Sequence, residues 1–411
     1  GLCYESMKRG KRDAKKEEKE KKAAARAEPH VSVALMFVLR AFAALGVCLC
    51  GLATANSPGF FSEAEGKTGI FVRLPFFFVT QALLNDMFLG IGLQVARWIC
   101  GDSGSLPWDA TKDEMIQNDT RIPWPAGDIP EELRRFQSKH GQPFFLNHVT
   151  GRQRCKDACM RSGMGVGALV GVWFMCRCMD NRQLSDLGFT LDGPFLAEAL
   201  VGLVVGITIV AFMFAVELWA GWVIYWKSFE VFDKDENFWL CIFWDVLFHL
   251  NVAVNEELPV RGWLLYNLAE ASMAHWKLPA TGAFLFAMIL ESVFFVLMHL
   301  PSPGGTRPLS MINIFVGGMA GGLNVLLTGG RLGFALGWHF GWNISMGNVF
   351  GRSTSGIPIS ATFVSVLPHP EKETYHGGVF GPEGGVVSPA AYSLGILLLV
   401  LIYGIPDSMA T

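Results

Sequence analysis

Three short polar signatures interrupt otherwise apolar stretches of this 411-residue chain. They are Glu256-Glu257-Leu258-Pro259-Val260-Arg261-Gly262, Phe295-Val296-Leu297-Met298-His299 and His339-Phe340-Gly341-Trp342-Asn343. Ionisable groups at membrane depth are costly, so a set of them is by default a functional site. Carboxylates, imidazoles and a carboxamide are also the groups peptide hydrolysis needs: a base that takes a proton from water, and donors that hold an oxyanion.

Helical geometry decides which of these groups can meet. At about 100° per residue, Asp245, His249 and Glu256 (i, i+4, i+11) fall within about 40° of one another on one face. Glu257 and Arg261 have the i, i+4 spacing of an intrahelical ion pair, which leaves Glu256 on a different face as a candidate base. Pro259 cannot donate to the carbonyl of Asn255, so the helix is expected to kink or loosen beside the two glutamates. Such a break is tolerated in a membrane where it lines a watery cavity. His339 and Asn343 share a face, where both could donate to a polarised carbonyl oxygen. Gly333, Gly337 and Gly341 form a small-residue stripe that points away from His339 and suits close helix packing. His299 closes an apolar run just before Pro301 and could orient a water together with Glu256.

The order EExxxR, FxxxH, HxxxN across successive apolar helices resembles the family of CAAX-prenyl proteases and bacteriocin-processing proteins (CPBP, also called ABI), over roughly residues 183–404. The stretch Gly377-Gly378-Val379-Phe380-Gly381-Pro382-Glu383-Gly384-Gly385 is similar to this family as well, on its bacterial and plastid side. The resemblance implies an intramembrane endopeptidase without a metal or other cofactor, zinc being the disfavoured alternative. It implies Glu256 as general base helped by His299, His339 and Asn343 as oxyanion donors, and Glu257, Arg261 and Phe295 in support. Pro259 and Glu291 depart from the pattern. Asp245 and His249 lie outside it and are candidates for tuning the base or for a purely structural role.

Composition sets the class. Hydrophobic residues make up 51% of the chain and charged ones 17%, and several apolar runs reach the roughly 20 residues that cross a bilayer as a helix. The expected fold is an all-α polytopic membrane protein, a bundle of about eight to nine transmembrane helices with one long hydrophilic loop. Spans are expected at 31–55, 70–99, 195–226, 238–271, 281–300, 310–328, 331–350 and 389–404, with a marginal one at 162–178. The domains are then a charged, disordered tail (1–30), two N-terminal helices (31–100), the hydrophilic loop (101–161), the core (162–404) and a short end (405–411). Arg40, Arg73, Asp86 and Arg97 fall within or beside the first two spans, where snorkelling or structural pairing is expected.

Within the loop, residues 129–155 resemble a degenerate WW domain, with Leu133 and Cys155 at the two tryptophan positions. Asn118-Asp119-Thr120 is a glycosylation sequon usable only on a lumenal side. The nine cysteines do not form a secreted disulfide framework, and Cys155, Cys159, Cys176 and Cys178 read as ordinary reduced thiols rather than zinc ligands. The chain opens on Gly1, which suggests a processed or truncated form, and its first apolar stretch is too long and too late for a cleavable signal peptide. Ten Lys/Arg against six Asp/Glu in residues 1–30 favour the cytosolic, stromal or matrix side for the tail.

The expected partners are membrane lipids, a membrane-embedded or lipidated protein substrate, and a membrane complex if the chain docks on one. No nucleic-acid footprint is present, since the basic run also carries acids and lacks interleaved aromatics. A plastid membrane is favoured over the endoplasmic reticulum. Two other functions remain open: a non-proteolytic scaffold or regulatory subunit with an intact site, and a transporter using Asp245, His249, Glu256, Glu291 and His299 as a proton path, for which no inverted repeat is visible.

Overall fold

The computed structural model describes residues 70–100, 121–123, 145–147, 149–231 and 235–405. The charged tail and the 31–55 span lie outside these residues, as do the sequon and most of the WW-like segment. The helices are α1 (Ile70–Cys100), α2 (Gly151–Cys178), α3 (Gly193–Trp219), α4 (Phe238–Glu257), α5 (Leu265–Trp276), α6 (Ala280–His299), α7 (Pro308–Leu327), α8 (Gly333–Ile344), a short α9 (Glu373–His376) and α10 (Ser388–Tyr403). Six helical stretches among the described residues are long and apolar enough to cross a membrane, α4 and α5 counting as one continuous 39-residue stretch, and α10 is a shorter apolar helix. The protein is an all-α polytopic membrane protein.

Pro259 leaves the mark its chemistry predicts. Helix α4 gives way to a π-helical stretch, Leu258–Leu264, before α5 resumes. A missing N–H in the ladder is accommodated here by a wider turn rather than by an end to the helix. The π stretch is wholly buried and carries Arg261.

The glycine stripe of α8 packs on α3. A Cβ at Gly337 would lie 1.9 Å from the carbonyl oxygen of Ala199, and one at Gly341 would lie 2.5 Å from that of Leu203. No side chain fits there, and the close approach fixes which face of α8 is left to present His339 inward. Elsewhere α1 packs on α2, α2 on α4, α5 on α6, α6 on α7 and α7 on α10. Trp263 anchors the core. Its ring stacks on Phe77 at 4.0 Å between centroids, and its Nε1 donates to Asp180 Oδ2 at 2.6 Å. Arg73 donates to the same aspartate (3.1 Å) and to Asn267 Oδ1 (2.7 Å), so this membrane-depth arginine is a buried structural partner.

Four features depart from the sequence reading. Helix α2 starts at Gly151, so the marginal 162–178 span is the second part of a 28-residue helix and the hydrophilic loop ends earlier than residue 161. Thr150 caps this helix by accepting from Gln153 N, and its early charge Arg154 is satisfied inside the protein by Asp245 (2.6 Å), which masks the helix in a hydropathy reading. Cys155 therefore sits on a helix rather than on the third strand a WW fold needs. The described strands there are only β1 (Arg121–Pro123) and β2 (Phe145–Asn147), paired antiparallel. Cys155 is disulfide-bonded, contrary to the expectation of reduced thiols, whereas Cys159, Cys176, Cys178 and Cys241 are free. Finally, the expected 195–226 span ends at Trp219, and Val223–Val231 forms strand β3, antiparallel to β4 (Ala361–Pro368), with a bulge at Trp226.

Candidate active site

The three signatures converge on one cavity of about 80 Å³, room for several water molecules. Glu256, Glu257 and Arg261 line it from the α4–π junction, Phe295 and His299 from the end of α6, and His339 and Asn343 from α8. Glu256 Oε2 lies 3.9 Å from His299 Nε2 and 3.9 Å from His339 Nε2. That separation is too long for a direct hydrogen bond and suits a water held by carboxylate and imidazoles together.

Both rings are held from behind. His299 Nδ1 lies 2.8 Å from the Phe295 carbonyl; a carbonyl only accepts, so Nδ1 carries a proton and Nε2 faces Glu256. His339 Nδ1 lies 2.6 Å from Glu257 Oε1, again turning Nε2 toward Glu256. Glu257 is in turn paired with Arg261 Nη1 at 3.2 Å. The Arg261 guanidinium lies 3.9 Å from the centre of the Phe295 ring and 3.6 Å from Glu291 Oε2. One cation thus serves two buried carboxylates and stacks on the ring of Phe295, the residue whose backbone carbonyl orients His299. Glu291, a departure from the motif pattern, is fully buried against this arginine.

Asp245 and His249 are not brought to the cavity. Asp245 is occupied by Arg154 (2.6 Å), Asn348 Nδ2 (2.7 Å) and Ser360 Oγ (2.7 Å), tying α4 to α2 and to the segment before β4. His249 is fully buried, edge-on to Phe248. Among the described residues no group of three or more His, Cys, Asp or Glu is arranged to hold a metal ion.

Sequence reasoning gave no role to Glu383, Thr354, Ser355, Trp342 or Tyr392, all of which line the cavity. The available signal was the lone acid inside the glycine-rich stretch 377–385. That stretch rests on a buried His376, whose Nε2 donates to the His369 carbonyl (2.9 Å) while Nδ1 accepts from Gly378 N (3.2 Å). Arg352 donates to the His376 carbonyl (2.7 Å) and is paired with Glu217 (3.5 Å). Burial first, and the Arg352 charge second, push the His376 imidazole from 6.5 down to about 4. The unfolded chain therefore binds the proton first. The contribution of His376 is intact above pH 6.5 and is lost as pH falls from 6.5 toward 4, by about 3 kcal/mol if the whole shift is realised. Unfolding midpoints of the purified protein should drop across that window, and His376→Gln should flatten the drop. An unaltered pH slope in that variant would refute the assignment.

The bundle and its cavity define a polytopic membrane protein with a carboxylate–imidazole site at a helix break. Residues 236–345, which hold all three signatures, match the family model described as Rce1-like, type II CAAX prenyl endopeptidase. No curated protein and no solved structure gives a significant match.

Proposed function

We propose that this protein is an intramembrane endopeptidase in which Glu256 activates water. The observation that carries the reading is the placement of one Glu256 oxygen 3.9 Å from two imidazole Nε2 atoms in a cavity with room for several waters. Glu256 takes a proton from water held with His299 while the water oxygen attacks the scissile carbonyl carbon. The oxyanion accepts from His339 Nε2–H and the Asn343 amide. The Glu257 carboxylate on Nδ1 supplies the counter-charge when the His339 ring carries both protons. Collapse of the intermediate breaks the C–N bond, and the proton on Glu256 passes to the leaving amine, giving a carboxylate and an amine. Glu257, Arg261 and Phe295 hold the imidazoles, and no metal or other cofactor takes part.

The substrate is proposed to be a membrane-embedded or lipidated protein, since the cavity lies within the apolar bundle. The basic N-terminal tail and the glycine-rich stretch favour a plastid membrane. The test is a quantitative comparison of protein N-termini in membranes containing wild type or Glu256→Ala. Termini present with wild type and lost with the variant are expected. Identical termini, with both proteins folded and equally abundant, would instead support the scaffold reading.

A further inference from the structure

If the peptidase reading holds, a part of this cavity's wall that can move would ease the entry of a substrate to Glu256. One part of the wall is built for that. The turn Thr354–Ile357 is closed by a single bridge between its ends. Ser355 (φ 48°) and Gly356 (φ 78°) at its centre are both left-handed, and Gly351 (φ 63°) lies upstream. A left-handed serine is disfavoured by its Cβ and persists only where its surroundings hold it.

Gly356 N donates to the Phe380 carbonyl (3.0 Å) and Ser353 Oγ to the Ile357 carbonyl (3.2 Å), and Ser355 itself is held by Glu383. This carboxylate is 5% exposed, and its three donors are all neutral. Oε2 accepts from Ser355 N (2.5 Å) and Ser355 Oγ (2.7 Å), and Oε1 accepts from Trp342 Nε1 (2.8 Å). Trp342 precedes Asn343 on α8 and stacks on Tyr392 at 4.7 Å and 6°. The backbone beneath the carboxylate is fixed to α7, because Asn313 Nδ2 donates to the carbonyls of Glu383 and Gly385 (2.8 and 2.7 Å). Glu383 therefore ties a strained turn to the Trp342–Asn343 end of α8, beside a direct contact in which Thr354 Oγ1 donates to the Asn343 carbonyl (3.5 Å).

We propose that Glu383 is the latch of a lid, the Thr354–Ile357 turn, which opens to admit the substrate and, when closed, sets the position of Asn343 for the reaction. This rests on the peptidase reading. Glu383 is a positioning residue that acts through Ser355 and Trp342. Both Glu383 oxygens accept from donors here, whereas a glutamine of the same shape must turn an NH2 either toward Ser355 or toward the indole N–H. E383Q therefore releases one half of the latch at nearly constant volume.

The test measures backbone amide exchange across residues 352–358 and cleavage kinetics, with the full-length protein in lipid nanodiscs. In E383Q, exchange of that segment should be at least tenfold faster while α4 and α6 keep their protection. The kcat for a substrate cleaved by wild type should fall about tenfold with KM unchanged or lower, because the lost alignment matters in the transition state and not for entry. If E383Q does not accumulate as folded protein, Ser355→Ala, which removes only the hydroxyl donor, should still raise exchange severalfold. Unchanged exchange in a folded variant overturns the latch, and faster exchange with an unchanged kcat overturns the positioning role. If wild type cleaves nothing, the peptidase reading fails and the exchange result alone decides the latch.

Discussion

Glu256→Gln should lower the cleavage rate by about a thousandfold or more while leaving the protein as stable as wild type. The glutamine keeps the volume and polarity of the side chain but cannot take the proton from water, and a positioned general base contributes on the order of 10² to 10⁴ in rate. Stability should hold because the nearest charged-type partners of Glu256 are the two imidazoles, each 3.9 Å away, so no short ion pair is broken. His299→Ala should cost less, about a hundredfold, since the base remains and only the orientation of its water is lost. The order of the two effects is itself informative: a variant of Glu256 that keeps a tenth of the rate, with His299→Ala inactive, would move the role of base to the imidazole. Single-turnover cleavage at saturating enzyme separates chemistry from binding for both variants.

Helical spacing is why this site could be read from the chain at all. Glu257 and Arg261, or His339 and Asn343, are four residues apart, and an α-helix places such pairs on one face whatever surrounds it. The Pro259 break was legible for the same local reason, because a missing N–H acts on its own turn; that the chain answers with a π turn was not. Where the structure departs from expectation, the cause is long-range. Arg154 made the start of α2 look like loop, and only its pairing with Asp245, on another helix, removes the cost of that charge. Strand β3 ends an expected span because Val223 pairs with Pro368, a partner no periodicity could indicate. Glu383 is an acid among glycines in the sequence; its meaning lies with Trp342 and Ser355, brought to it by α8 and the turn that follows. Asp245 and His249 show the converse. They share a helical face with Glu256, yet Asp245 is occupied by Arg154, Asn348 and Ser360, and the cavity does not extend to either residue.

The second large effect is expected on stability. Arg261→Met should destabilise the protein by about 3–5 kcal/mol, the cost of removing one partner from a buried charge cluster. Arg261, Glu257 and Glu291 are 1%, 3% and 0% exposed, so water cannot replace the guanidinium. The substitution keeps the apolar stem of the side chain but removes the guanidinium packed on Phe295, so the loss combines the stranded carboxylates with the space left behind. Glu291→Gln alone should be mild, because Arg261 still has Glu257 at 3.2 Å. The double variant should recover part of the loss, since one of the two stranded charges is gone. Denaturant titration in detergent, with ligand-free protein at fixed pH, measures all three. Additive losses in the double variant would mean that Glu291 and Arg261 act independently. Recovery of stability without recovery of cleavage would separate the two tasks of this arginine: balancing buried charge for the fold, and holding Glu257 against His339 for the site.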